Sequence, residues 1–118
     1  MSEIRTYKTK ISNIPSLKRL LSQKKINFSE GKEVKMYGTV KDASLSFKLD
    51  GWRFPIAVKA DGTIQYDNWG SNIGSMDRLG EVIQDYNTMV ITDEAMMFAS
   101  NVYSERMKDG NVLLTIQI

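Results

Sequence analysis

The spacing of apolar residues divides the chain into a strand, a helix, a meander, a longer helix and a closing hairpin. Residues 3–11 mix β-branched, aromatic and charged side chains, which is typical of a half-exposed strand. A helix is expected to begin at Asn13-Ile14-Pro15, because proline suits a first helical turn, and to end near Lys25. Its apolar stripe at helical spacing consists of Ile14, Leu17, Leu20 and Leu21.

A meander of strands is predicted from residue 33 onward. The first strand spans residues 33–40, and the second alternates apolar and polar residues over 44–49. Asp50-Gly51 predicts a two-residue hairpin turn into a return strand. That return strand alternates through Trp52, Phe54, Ile56 and Val58. Pro55 places it at a sheet edge or at a bulge, since proline cannot donate to a ladder.

A second turn and a second helix follow the meander. Asp61-Gly62 predicts a hairpin into a strand over residues 63–68. Ser75 is the expected N-cap of the next helix. Its apolar stripe consists of Met76, Leu79, Val82, Ile83, Tyr86 and Val90. The pattern leaves open whether Met76–Phe98 is one helix or two, because residues 88–92 would also suit a strand.

The chain is expected to close with a hairpin. Lys108-Asp109-Gly110 predicts a turn between residues 101–107 and a last strand that alternates apolar residues as far as Ile118. Residues 111–118 contain neither charge nor proline, which usually protect a sheet edge. We therefore expect this strand to be central in the sheet, or to be covered by a second copy or by a partner strand.

These elements predict one α+β domain over residues 1–118. We expect a single antiparallel sheet of six or seven strands with two helices on one face. Gly51, Gly62 and Gly110 are expected to have positive φ in their turns. The predicted core consists of Leu17, Leu20, Leu21, Phe47, Phe54, Ile56, Leu79, Ile83, Tyr86 and Leu114.

Composition narrows the possible chemistry. The 118 residues include no cysteine and no histidine, which removes disulfides, thiolate and imidazole metal ligands, and the usual nucleophile–base pairs. No constellation of the remaining acidic, Lys, Tyr and Ser side chains resembles a catalytic site. We therefore expect a non-catalytic protein with no cofactor and no metal. The N-terminal residues lack an apolar signal segment, so a cytoplasmic location is expected.

Charge is distributed unevenly along the chain. Residues 1–60 carry thirteen Lys and Arg against five Asp and Glu, and residues 61–118 carry three against nine. The first half is therefore strongly basic and the second acidic, although the total is only +2. The favoured interpretation is that the halves neutralise each other within one fold; the alternative is an acidic partner for the basic half.

Several exposed-looking residues are candidates for contact with a partner. Trp69 ends a strand beside a glycine-rich loop; a core position is the favoured interpretation, and the alternative is that it anchors an interface. Aromatic and basic residues also interleave in the first half, as in nucleic-acid-binding surfaces. The candidate partner-binding residues are Trp69, Arg5, Tyr7, Lys8, Lys10, Lys35 and Tyr37.

Three segments of the meander resemble one family of small domains. They are residues 51–56 (GWRFPI), residues 60–66 (ADGTIQY) and residues 67–70 (DNWG). The family is a small domain of unknown function found in cyanobacteria, in plastids (as hypothetical chloroplast reading frame 35) and in bacteriophages. In the resemblance, Tyr86 corresponds to the helix tyrosine and Asp109-Gly110 to the closing hairpin. The strand over residues 52–56 lacks the aspartate and glycine that the family usually has there.

The resemblance implies an architecture and no activity. It implies a strand, a helix, a four-strand meander, one long helix over Met76–Phe98 and a terminal hairpin. It also favours a phage accessory protein that binds or inhibits a host component. Our leading hypothesis is therefore a non-catalytic binding or regulatory protein acting through protein–protein contacts. The alternative is a nucleic-acid or nucleotide-phosphate binding module that uses the basic half.

Overall fold

Two helices and nine strands form within the residues that the computed structural model describes, which are 3–69, 73–97, 101–106 and 112–117. The helices are α1 (Ile14–Gln23) and α2 (Met76–Met96). The strands are β1 (Ile4–Thr6), β2 (Phe28–Ser29), β3 (Val34–Lys35), β4 (Thr39–Val40), β5 (Ala43–Phe47), β6 (Ile56–Lys59), β7 (Ile64–Asp67), β8 (Asn101–Arg106) and β9 (Val112–Gln117).

The strands are antiparallel, and the α+β class is confirmed. Five of them form one sheet in the order β1-β7-β6-β5-β2. The prediction of a single sheet of six or seven strands is wrong, because β3–β4 and β8–β9 form separate two-stranded sheets. The predicted strand over residues 33–40 bends into a hairpin, with the Met36 N–H donating to the Gly38 carbonyl.

The two faces of the main sheet are covered differently. Both helices contribute to one large core with β5, β6 and β7. The β3–β4 hairpin covers part of the opposite face and forms a smaller core with Ala43 and Ala57. The predicted core residues that are buried are Leu17, Leu20, Leu21, Phe47, Ile56, Leu79, Ile83 and Tyr86. Phe54 is half-buried, and the side chain of Leu114 lies outside the description.

Local sequence signals account for both ends of α1. The Asn13 side chain accepts the Ser16 N–H at 3.1 Å, and Pro15 lies in the first turn as predicted. At the other end, Lys25 N–H donates to the Ser22 carbonyl and Ile26 N–H to the Leu21 carbonyl. These two bonds form a Schellman motif around Lys25, which adopts a φ of 58°.

Helix α2 is one continuous helix from Met76 to Met96. Of its predicted stripe, Met76 is exposed and Val90 is half-buried, and the other four residues are buried. Ser75 occupies the N-cap position without a side-chain capping bond, and its carbonyl accepts the Trp52 indole N–H instead. The buried Tyr86 hydroxyl accepts the backbone N–H groups of Ser12 and Asn13, which joins α2 to the start of α1.

The predicted turn glycines Gly51 and Gly62 have φ of 80° and 89°, and Gly110 lies outside the described residues. The Asp61-Gly62 turn joins β6 to β7 as predicted, with Gly62 N–H donating to the Lys59 carbonyl. An added Cβ on Gly62 would lie 2.4 Å from the Ile11 carbonyl oxygen, so glycine is required there for space as well as for φ.

The Asp50-Gly51 turn is not a two-residue hairpin. Its flanking strands first pair at Phe47 and Ile56, because residues 48–55 leave the sheet between them. Trp52 inserts into the core and Arg53 N–H donates to the Ile73 carbonyl, which draws this segment toward the start of α2. Strand β6 is therefore interior to the sheet, and the edge-strand prediction from Pro55 is wrong; proline precedes its first residue.

The terminal strand β9 pairs with β8 alone among the described residues, with Val102 opposite Ile116 and Arg106 opposite Val112. The prediction that it is central in the sheet is therefore wrong. Both strands contact α2. A two-stranded hairpin is marginally stable by itself, so its contact with α2 contributes to its stability.

Among the described residues, two ion pairs join the basic half of the chain to the acidic half. Lys24 lies 2.6 Å from Asp85, and Arg19 pairs with Asp93, so both bridges connect α1 to α2. Part of the charge asymmetry is thus compensated inside the fold. Lys18 pairs with Glu30 and Arg5 with Glu3 within the first half.

Candidate functional site

An aromatic and cationic cluster lies at the end of β7, and we name it the platform. It consists of Tyr37, Arg53 and Trp69. The Arg53 guanidinium carbon lies 4.1 Å from the centre of the Trp69 ring, and the Tyr37 ring lies 6.4 Å from it at a tilt of 56°. Tyr37 is 61% exposed, Arg53 is exposed and Trp69 is half-buried.

A buried carboxylate positions two of these three residues. Asp67 is fully buried, and its Oδ1 accepts the N–H of Glu3 at 2.8 Å and of Trp69 at 3.1 Å. Its Oδ2 accepts the N–H of Gly38 at 2.8 Å, directly after Tyr37. A buried carboxylate is costly unless it is hydrogen-bonded, and here the bonds join three separate segments of the chain.

Two features of Trp69 are energetically unfavourable. Its φ of 43° lies in the left-handed region, which tryptophan rarely adopts. Its indole Nε1 is buried and has no hydrogen-bond partner among the described residues. Strained backbone and unsatisfied polar atoms are concentrated at functional sites, so these features favour Trp69 as a functional residue.

The structure brings together some of the predicted partner-binding residues. Trp69 and Tyr37 are neighbours, and Lys35 is exposed on the hairpin that carries Tyr37. Arg5 lies on the edge strand β1 opposite Tyr66 and is paired with Glu3. It is therefore near the segment bound by Asp67 but partly neutralised.

The other three predicted residues lie elsewhere. Tyr7 is half-buried against the main core, with its hydroxyl facing Gly80 of α2, so it has a packing role. Lys8 and Lys10 are exposed in the segment that runs beside the opposite end of β7, where Ile11 N–H donates to the Gly62 carbonyl. The length of β7 separates both lysines from the platform.

Sequence reasoning missed Arg53 and Asp67 as parts of this site. Arg53 belonged to a predicted regular strand, and only the detour of residues 48–55 brings it over Trp69. One sequence signal could have identified Asp67, because an aspartate side chain commonly accepts the backbone N–H of the residue two positions further along. That is the bond it makes to Trp69.

Hydrogen bonds shift the pKa of exposed groups at both ends of β7. The Arg5 guanidinium, and then the Asn68 amide, lower the pKa of Glu3 below its ordinary value, and Glu3 in turn raises the pKa of Arg5. At the other end, hydrogen bonds from the Thr63 side chain and backbone lower the pKa of Asp61. These groups stay charged near neutral pH.

The geometry of the platform restricts how a ligand can bind to it. Arg53 covers one face of the indole ring, so that face is closed to a stacking base. The same stacking restrains the guanidinium, whose planar fork can bind a carboxylate with two parallel hydrogen bonds. No carboxylate in the described part of the chain lies within ion-pairing distance of Arg53 or Lys35.

Comparison with known proteins adds no relative: no family model, no curated protein and no solved structure matches this chain. The resemblance to the cyanobacterial, plastid and phage family therefore stays a prediction. Among the described residues, no cluster of three or more acidic side chains is placed to hold a metal ion. No helix in that part of the chain is long and apolar enough to cross a membrane.

Proposed function

We propose that this protein is a non-catalytic binding module whose platform captures an acidic segment of a partner protein. One observation carries the proposal: a single buried carboxylate, Asp67, holds the loops of both Tyr37 and Trp69. Because these side chains are already positioned before a partner binds, less conformational entropy is lost on binding. Tyr, Trp and Arg are also the residues most enriched in interface hot spots.

The expected partner has carboxylates beside an apolar or aromatic side chain. Arg53 and Lys35 would receive the carboxylates, and the exposed Tyr37 ring would receive the apolar group. A phage accessory protein that binds a host component is one protein of this kind. Nucleic acid is the less favoured partner, because the stacked Arg53 closes one face of the Trp69 indole ring to a stacking base.

Affinity capture with matched variants tests the proposal. Immobilised wild type, Tyr37→Ser, Arg53→Gln and Lys8→Gln are exposed to a lysate of the source cells with and without nuclease. We expect a protein that survives nuclease and is retained by wild type and Lys8→Gln, but lost from the two platform variants. The proposal is contradicted if all four proteins retain the same lysate proteins, or if none of the four retains any. Loss of every bound protein after nuclease treatment contradicts it as well.

The terminal hairpin favours a second mode of contact. Each of β8 and β9 has one edge that no described residue pairs with, and β9 carries no charge. Such an edge accepts a strand from a partner or from a second copy in a homodimer. Sedimentation at micromolar concentration, at low and high salt, measures this association; a monomer under both conditions contradicts the dimer.

A further inference from the structure

A pocket of about 280 Å³ lies between the end of α1, the end of β5 and the first turns of α2. None of the platform residues lines this pocket. Its lining residues are Lys24, Lys25, Ile26, Asn27, Lys48, Leu49, Asp50, Arg78, Glu81 and Val82. Three chain segments thus converge on one concave and mostly polar surface.

Cations dominate this pocket. Lys24 is engaged with Asp85 at 2.6 Å. Lys25, Lys48 and Arg78 have no carboxylate within ion-pairing distance in the described part of the chain, although two carboxylates line the same pocket. Like charges that converge on one concave surface repel each other, so a bound anion would lower the electrostatic energy of the site.

Lys25 is held in a conformation that glycine would adopt more easily. It occupies the C′ position of the Schellman motif at the end of α1, with a φ of 58°. Glycine is the usual residue at that position because it has no Cβ to strain. A lysine there is a local cost to stability, and it places a cation at the pocket.

We propose that this pocket binds a small phosphate ester of a polyol, such as a sugar phosphate or a mononucleotide. Lys25, Lys48 and Arg78 would bind the phosphate oxygens through charge-assisted hydrogen bonds. Asp50, Glu81 and Asn27 offer oxygens that accept hydrogen bonds from hydroxyl groups. The same carboxylates would repel further phosphates, which favours a small ester over a nucleic-acid backbone.

Amide NMR titration with ribose phosphate tests the site at constant ionic strength. Ribose, inorganic phosphate and a short single-stranded oligonucleotide are the comparison ligands. We expect saturable shifts at residues 24–27, 48–50 and 78–82 with ribose phosphate, weaker binding of inorganic phosphate and none of ribose. Absence of saturable shifts there, equal affinity for inorganic phosphate, or binding of the oligonucleotide alone overturns the proposal.

Two variants separate binding from folding. Lys48→Gln removes one exposed cation, and Lys25→Gly removes another while relieving the left-handed backbone. Each is expected to weaken ribose phosphate binding by about tenfold, whereas Lys25→Gly raises the melting temperature. Lys8→Gln, at an exposed residue that does not line the pocket, is the control and should leave binding unchanged. Unchanged affinity in both pocket variants overturns the assignment, because a stably folded protein would then bind without these cations.

Discussion

The platform and the cationic pocket each contain a residue that is not glycine in the left-handed region, but different forces hold the two residues there. Trp69 has a φ of 43° and is bonded to a buried carboxylate that also binds residues far away in sequence. Lys25 has a φ of 58° and is held by hydrogen bonds within its own helix end. The platform therefore depends on the whole fold, and the conformation of Lys25 depends on a local motif.

The largest difference is expected on removal of the carboxylate that anchors the platform. Asp67→Ala leaves three backbone N–H groups without their acceptor, so we expect a loss of about 3–5 kcal/mol in the free energy of unfolding. Urea denaturation measures the loss. Asp61→Ala, in the exposed turn that precedes the same strand, is the control and should cost much less; equal losses would contradict the anchoring role.

The two tryptophans should differ greatly in how much stability their truncation costs. Trp52 is 2% exposed and donates its indole N–H to the Ser75 carbonyl, so Trp52→Ala should cost about 3–5 kcal/mol. Trp69→Gly relieves the left-handed backbone and removes an indole N–H that has no partner among the described residues, which should offset most of the lost packing. We expect a change of less than about 1 kcal/mol there. A large loss in Trp69→Gly, measured by thermal unfolding, would make Trp69 a core residue.

Adjacent lysines at the end of α1 provide a finer comparison. Lys25→Gly relieves its left-handed backbone and should stabilise the protein by about 0.5 kcal/mol. Lys24→Gly should destabilise by about 1 kcal/mol, since Lys24 has a right-handed φ of −83° and pairs with Asp85. Differential scanning calorimetry of both variants is the measurement. The same sign in both would show that the strain at Lys25 is negligible.

The smallest effect is expected at the exposed carboxylate beyond the start of β7. The pKa of Asp61 is lowered by Thr63, so its ionised form stabilises the folded state above the unfolded pKa, and this contribution is lost as the pH falls through the folded pKa. Asp61→Asn should therefore show a smaller drop in melting temperature than wild type between about pH 5 and pH 2. Parallel profiles would indicate that the Thr63 bonds contribute nothing.

Helix α2 shows how far the spacing of apolar residues can predict secondary structure. Leu79, Val82 and Ile83 are buried as the helical spacing predicts, whereas the pattern alone could not decide the state of residues 88–92. That segment is helical in the structure, with Met89 and Val90 packed against the core and Asp93 paired with Arg19. The β-branched residues of this segment left its secondary structure ambiguous, and contacts with other elements decided that it is helical.

The sequence by itself determined the features that depend on neighbouring residues. The Asn13 cap, Pro15 in the first turn, the left-handed turn glycines Gly51 and Gly62, and the buried stripe of α1 were all predictable. Each follows from steric and hydrogen-bonding preferences within a few residues of the chain. The α+β class follows from the same local periods.

Only the tertiary structure decided how the elements combine and where binding chemistry converges. Asp67 bonds Glu3 across 64 residues and Gly38 across 29, and no local pattern specifies such partners. The split of the sheet, the position of Arg53 over Trp69 and the pocket that unites Lys25, Lys48 and Arg78 arise in the same way. Long-range contacts depend on which faces the packed elements present to each other, and that is a property of the whole fold.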